Sequence, residues 1–163
     1  MHEKETFLQT WNREFAVTMN VLRQLPADKA DFKPTAEKTK SAKELATVFI
    51  AELGVMDHVV QGKLDFGKHS SIKPATYGEV LSTFESSQKA MVEKVKNMPD
   101  ADWNSMMQFP VGPGKMGDVR RGDLFWMMLM DSIHHRGQFS IYLRLVGAKV
   151  PSIYGGSADE PWF

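Results

Sequence analysis

The sequence has 163 residues, enough to bury a sizeable core, and we predict one domain over residues 1–163. Its 20 basic and 20 acidic residues balance, so no charge surplus indicates nucleic acid or an anionic membrane as a partner. It contains no cysteine, which excludes disulfides, thiolate nucleophiles and cysteine-ligated zinc. The first residues are charged and no apolar run is long enough to span a membrane. We therefore expect a cytoplasmic protein without signal peptide or membrane span.

The first predicted helix covers residues 3–25. Phe7, Trp11, Phe15 and Leu22 recur at helical spacing, which is typical of an amphipathic helix with one buried face. Pro26 marks its end. In the connection that follows, which has a proline at each end, we expect Phe32 to pack back onto the core.

The second predicted helix covers residues 41–61. Ser41 and Glu44 form an S-x-x-E capping box at its start, and Gly62 ends it. Its apolar stripe contains one acidic residue, Glu52. The glycines, lysines and serines of residues 62–74 predict a loop after this helix.

The third predicted helix covers residues 76–98, with a second capping box at Thr76 and Glu79 and with Pro99 after its end. Residues 99–120 are a long connection rich in Gly, Pro and Met, in which Phe109 and Val111 can form a short extended piece. A connection of this length is either a functional lid over a site or a simple crossover between antiparallel helices. The sequence does not distinguish these two interpretations.

The fourth predicted helix, residues 121–147, is unusual because its core-facing stripe is partly polar. That stripe contains Leu124, Met128, Asp131, His135, Gln138, Tyr142 and Leu145. A second stripe beside it contains Met127, Met130, His134, Gly137 and Ile141. Polar groups in a buried stripe cost free energy unless they are paired or bind something. A local conflict of this kind is expected at a functional site.

The four segments together predict an all-α fold, a four-helix bundle with long connections. The fourth helix is apolar on more than one side, and such a helix must be covered on more than one side. We therefore expect a homodimer formed through helix faces.

The polar residues of the second and fourth helices suit a metal site in the bundle core. Asp131 and His135 lie one turn apart and can hold one ion, and Glu52 can supply a third ligand. A Glu, Asp and His set suits Zn, Ni, Fe or Mn better than calcium. Gln138 can orient a ligand, and His134, about 100° away around the helix, is the alternative ligand. The competing interpretation is a buried Asp–His–Glu hydrogen-bond network without a metal.

The segment HHRGQFSIYLRLVGAKVPSIYG (residues 134–155) resembles the signature of the DinB-like family, within the DinB/YfiT-like group of metalloenzymes. LPADKADFKP, SAKELA and GKLDFG earlier in the chain also fit the layout of that family. The resemblance implies a four-helix bundle, commonly dimeric, with a divalent metal held by three histidines. One histidine is on the second helix and two are spaced i, i+4 on the last. It also implies thiol-dependent chemistry, such as transfer of a low-molecular-weight thiol or maleylpyruvate isomerisation.

This sequence departs from the family pattern at two of the three ligands. The second-helix histidine should fall near Thr47 or Val48, and the first histidine of the pair at Asp131. His135 keeps the last position. In the other register, the pair falls at Met130 and His134.

Two functions from different classes follow. The first is a metal-dependent enzyme with an altered metal site, a low-molecular-weight-thiol transferase or a relative, acting on a small molecule that the sequence does not identify. The second is a metal-free dimeric helical module for binding or stress response.

Overall fold

The fold is mostly helical, with one small sheet. The computed structural model describes residues 3–65 and 73–163; residues 66–72 of the predicted loop lie outside this range. The elements of the described residues are α1 Glu3–Leu22, a 3-10 turn Ala27–Lys29, α2 Ala42–Gln61, α3 Tyr77–Asn97, α4 Asp100–Trp103, β1 Met106–Gly112, β2 Lys115–Arg120 and α5 Arg121–Leu145. The four long helices match the four predicted segments to within a few residues.

Local chemistry at the helix ends explains these boundaries. The Ser41 hydroxyl accepts a hydrogen bond from the Glu44 backbone N–H at 3.1 Å, and the Glu44 carboxylate accepts one from the Ser41 N–H at 2.6 Å. Thr76 and Glu79 make the same reciprocal pair at the start of α3. Both predicted capping boxes are therefore confirmed. Gly62 ends α2 with φ 70°, a left-handed conformation that favours glycine.

The long helices enclose the core. α1 packs against α3 and α5, and α2 packs against the same two helices. Five fully buried phenylalanines fill the space between them: Phe7, Phe49, Phe84, Phe125 and Phe139. Phe32 packs against this core and lies 6.2 Å from Tyr142, ring centre to ring centre, as predicted. None of the described helices combines the length and the hydrophobicity that a membrane crossing requires.

The expectation of an all-α chain is wrong, because residues 106–120 form an antiparallel β-hairpin. Gly112 pairs with Lys115, so Pro113 and Gly114 make the turn, and Gly114 has φ 66°. The extended piece predicted around Phe109 and Val111 is the middle of β1. Pro110 argues against a central strand, but both strands of a two-stranded sheet are edges, where proline is tolerated.

The buried face of α5 is rotated from the predicted stripe. Gln138 and Leu145 of that stripe are exposed, and the second stripe largely faces solvent. The buried face consists of Leu124, Phe125, Met128, Leu129, Ser132, Arg136, Phe139, Tyr142 and Leu143. A buried arginine in the middle of this face was not predicted.

Arg136 is paired with Glu14 inside the protein. The two residues are 2% and 3% exposed, and Arg136 Nη2 lies 2.9 Å from Glu14 Oε2. The same nitrogen donates to the Tyr154 hydroxyl at 2.6 Å, and that hydroxyl donates to Glu14 Oε2 at 2.5 Å. Arg136 Nη1 also donates to Thr18 Oγ1 at 3.3 Å. This network ties α5 to α1 and to the C-terminal segment.

We expect Glu14→Gln to destabilise the protein strongly, because it removes the countercharge of a buried guanidinium. The loss should be about 3–5 kcal/mol in the free energy of unfolding, measured by urea denaturation. Glu37→Gln, at an exposed glutamate between α1 and α2, is the control and should change stability by less than about 0.5 kcal/mol. Similar stabilities for the two variants would mean that the Arg136 pair does not hold the fold.

Candidate metal centre

The structure brings Glu52, Asp131 and His135 together where α2 packs against α5. His135 Nδ1 lies 2.6 Å from Glu52 Oε1 and 3.8 Å from Asp131 Oδ2. One possible ligand atom of each residue lies within 4.8 Å of the other two. Among the described residues this is the cluster of histidine and carboxylate side chains whose geometry could hold a metal ion. They are three of the four candidate ligands predicted from the sequence, and the fourth, His134, is not among them.

The cluster opens towards solvent on the side of Asp131. The Glu52 side chain is 5% exposed, that of His135 is 18% exposed, and that of Asp131 is 45% exposed. A shallow surface hollow beside Asp131 is lined by Met127, Met128, Met130 and His134. A small molecule can therefore reach the cluster from this side, while Glu52 closes its inner end.

Burial controls the charge of the cluster. It raises the pKa of Glu52 to about 8, and the negative charge of Asp131 adds to this shift. Burial also lowers the pKa of His135, although Asp131 acts in the opposite direction. Near neutral pH Glu52 is therefore protonated, and its Oε1 lies at a hydrogen-bond distance of 2.6 Å from His135 Nδ1.

Glu52 has one oxygen without a partner in the described structure. Its Oε2 is buried and accepts no hydrogen bond from a described residue. The nearby Ser132 hydroxyl favours the ionised form, but it does not reach hydrogen-bond geometry with this oxygen. An unsatisfied buried carboxylate oxygen costs free energy, and a cation would satisfy it. Two carboxylates and one imidazole are a normal donor set for a divalent transition metal, so the residues present fit such an ion.

The other sequence candidates lie outside the cluster. His134 is exposed, and its Nε2 lies 2.9 Å from Gln138 Nε2. Gln138 therefore contacts His134 and, among the described residues, makes no hydrogen bond to Glu52, Asp131 or His135. Thr47, one of the two residues near which the resemblance places the family's second-helix histidine, donates its hydroxyl to the Lys43 carbonyl at 2.8 Å.

Two neighbours of the cluster were not predicted. The Phe49 ring stands edge-on to the His135 imidazole at 6.3 Å between ring centres, and Ser132 is buried beside Glu52. Phe49 limits the space around the imidazole and contributes to its desolvation. The sequence could not identify Phe49 as a neighbour of the cluster, because a phenylalanine on the buried face of a helix is common in any hydrophobic core.

We expect Glu52 to make the metal-free protein less stable as the pH rises. Its pKa is 4.5 in the unfolded chain and about 8 in the folded protein, so between these values only the folded state keeps the proton. The free energy of unfolding then falls with increasing pH, by at most about 1.4 kcal/mol per pH unit. Glu52→Gln cannot titrate and should remove this slope when unfolding is measured in chelator from pH 5 to 8. Parallel curves for the wild type and the variant would contradict the buried, protonated Glu52.

Comparisons with known proteins identify the family and the fold of this chain. A model of the DinB family matches residues 1–161. The chain is 21% identical to YrdA of Bacillus subtilis, an uncharacterised protein, over 94% of this chain and 89% of that one.

Two crystal structures are similar in fold. A DinB-like protein from Bacillus cereus superposes with a TM-score of 0.75 at 21% identity, covering 92% of this chain and 97% of that one. YjoA of Bacillus subtilis, also DinB-like, gives a TM-score of 0.72 at 14% identity, with 97% and 99% covered. With the family match over nearly its whole length, this chain belongs to the DinB family.

Proposed function

We propose that this protein is a metal-dependent enzyme of the DinB family with an altered ligand set. Glu52, Asp131 and His135 would hold one divalent transition metal, Zn, Ni, Fe or Mn, in the core of a four-helix bundle formed by α1, α2, α3 and α5. The observation that carries this proposal is the convergence of their three ligand atoms within 4.8 Å, with a buried carboxylate oxygen left over.

The reaction class that we propose is a thiol-dependent transfer to a small electrophile. A bound ion would supply Lewis-acid chemistry, since it lowers the pKa of a coordinated thiol or water. The residues of this chain limit that effect, because Asp131 and ionised Glu52 together neutralise two positive charges. Three neutral imidazoles would leave those charges in place. We therefore infer a weaker activation of the thiol than in family members with three histidines.

Glu52 has a second role available to it. With a pKa of about 8, it can accept and release a proton near neutral pH, as a general base requires. Its Oε1 lies 2.6 Å from His135 Nδ1, within hydrogen-bond distance of a group that can exchange a proton with it. A base beside the ion, with Asp131 and His135 as the protein ligands, is the arrangement that competes with three-ligand binding.

We expect the purified protein to bind one Zn(II) ion per chain, and His135→Ala to reduce the affinity by at least about 100-fold because a first ligand is lost. His134→Ala, the neighbouring histidine that contacts Gln138, is the matched control and should retain binding. Isothermal titration in the two variants measures the difference. Full stoichiometry in His135→Ala would show that the ligand set is wrong.

The same titrations test whether Glu52 is a ligand. If it is, the ion must displace its proton, so affinity should rise by about tenfold per pH unit between pH 6 and 8. Titration in buffers of different ionisation enthalpy should report close to one proton released per ion at pH 7. A Glu52 that acts only as a base would leave the affinity largely independent of pH, and Glu52→Gln would then bind metal normally.

We expect weak thiol-transferase turnover, below that of a family member with three histidines, because the ion would be close to neutral. The assay combines the zinc-loaded protein with a low-molecular-weight thiol and an electrophilic acceptor, and His135→Ala should abolish the activity. Turnover equal to that of the all-histidine protein would contradict the charge argument. Complete inactivity of a folded protein that binds no metal would favour the metal-free binding or stress-response module.

The second candidate function is a dimeric helical binding or stress-response module without metal. The observation that favours it is the solvent face of α5, where Met127, Met130 and Ile141 are exposed, Met130 by 64% and Ile141 by 60%. Such a face is expected to pack against a second copy of the chain.

We expect a mass twice the 18.4 kDa of the chain in light scattering, and Met130→Lys should shift it to the monomer because a charge is buried in the interface. Met116→Lys places the same charge on an exposed methionine of the hairpin and should leave the dimer intact. A monomeric wild type at micromolar concentration would contradict the proposed homodimer.

A further inference from the structure

A second polar cluster lies away from Glu52 and His135, at the N-terminal ends of α1 and α5. Glu3, in the first turn of α1, receives four hydrogen bonds on its carboxylate. Arg120 donates from Nη1 to Oε2 at 2.7 Å and from Nη2 to Oε1 at 2.8 Å. The indole N–H groups of Trp103 and Trp126 donate at 3.2 and 3.1 Å to Oε2 and Oε1, respectively. All four acceptor directions of a carboxylate, about the most it can offer, are thus used.

The donors belong to parts of the fold that do not depend on Glu3. Trp103 is buried in α4 and stacks on Phe125 of α5, with 5.1 Å between ring centres and planes 3° apart. Phe7 packs against both indoles, at 5.5 Å from Trp103 and 5.3 Å from Trp126. The two N–H groups are therefore oriented by a packed aromatic cluster.

Two further residues, Asn104 and Asp123, fix the orientation of the Arg120 guanidinium. Asn104 Oδ1 accepts from its Nη1 at 3.2 Å, and Asp123 Oδ1 accepts from its Nη2 at 2.5 Å. Both partners orient the guanidinium so that its two terminal nitrogens face the Glu3 carboxylate. Because Asp123 already supplies one negative charge, the site suits a singly charged anion better than a phosphate dianion.

Gly122 leaves the space that this arrangement needs. A Cβ at this position would lie 2.6 Å from Trp103 Nε1 and 2.9 Å from Arg120 Nη1, closer than real Cβ contacts. Any other residue would push the indole and the guanidinium apart. The absent side chain is thus a requirement of the cluster itself.

We propose that Arg120, Trp103 and Trp126 form a carboxylate-binding site that Glu3 occupies in cis, and that an aliphatic carboxylate from another molecule takes the site when Glu3 leaves it. The planar, bidentate guanidinium with a flanking N–H on each side fits one carboxylate group. Glu3 can leave because the first turn of a helix opens at low free-energy cost, and its side chain is 42% exposed. The ligand is a small monocarboxylic acid or the C-terminal carboxylate of a peptide, which share this chemistry.

The test uses the full-length Glu3→Ala variant, whose site is empty, and the indole ¹H–¹⁵N signals of the four tryptophans. Added acetate should shift the signals of Trp103 and Trp126 in a saturable way, at ionic strength held constant with chloride. Trp11 and Trp162 are internal controls and should not shift. N-acetylglycine represents a peptide terminus, and N-acetylglycinamide is its control without a carboxylate. A response to acetate alone identifies small acids, and a response to N-acetylglycine alone identifies peptide termini.

Two further variants keep the proposal falsifiable. Glu3→Ala combined with Arg120→Gln should lose the response, and Glu3→Ala combined with Gly122→Ala should lose it while keeping the arginine. The Glu3→Ala variant should melt about 2–4 °C below the wild type, and saturating acetate should return its melting temperature to the wild-type value. The wild type should need at least about tenfold more acetate, because the tethered Glu3 competes. No saturable shift in Glu3→Ala, or an equal shift with Arg120→Gln, would overturn the proposal.

Discussion

The buried pair of Arg136 and Glu14 fixes how α5 lies in this protein. A guanidinium with 2% exposure is tolerated only where its charge and its hydrogen bonds are matched, and Glu14, Thr18 and Tyr154 match them. Burial alone would raise the pKa of Glu14, but the hydrogen bonds from Tyr154 and Arg136 outweigh it and hold that pKa below its usual value. Because Arg136 must face α1, the residue before it, about 100° around the helix, faces α2. That residue is His135.

The two polar clusters of the core differ in completeness. Around Arg136 both terminal guanidinium nitrogens and both carboxylate oxygens of Glu14 have partners, and the result is structural rigidity. Around His135 the matching is incomplete: Glu52 is protonated near neutral pH, one of its oxygens has no partner among the described residues, and Asp131 is half in solvent. An incomplete network costs stability, and an unsatisfied buried group in a native protein calls for an explanation such as a catalytic role or a bound ion. This contrast on one helix is the physical reason for proposing the metal site at His135 and a structural role for Arg136.

The helix α5 carries different tasks on different sides. One side contacts α1 through Arg136, another contacts Glu52 of α2 through His135, and a third leaves Met130 and Ile141 exposed to solvent. At its first turns, Gly122 and Trp126 contribute to the Glu3 site. A helix with these demands has no single apolar stripe, which is why its sequence mixes methionines, histidines and an acid around the whole circumference.

The sequence by itself determined the four long helices, because periodicity, capping boxes and prolines act within a few residues of each other. It also selected Glu52, Asp131 and His135, since polar residues on apolar stripes are visible as local conflicts. It did not determine the hairpin, whose Pro110 argues against a strand until the two-stranded pairing is known. It missed the partnership of Glu14 with Arg136 and that of Glu3 with Arg120, which join residues more than a hundred positions apart. Only the tertiary structure decided which polar residues are matched and which are left incomplete, because that depends on the rotation of α5 against α1 and α2.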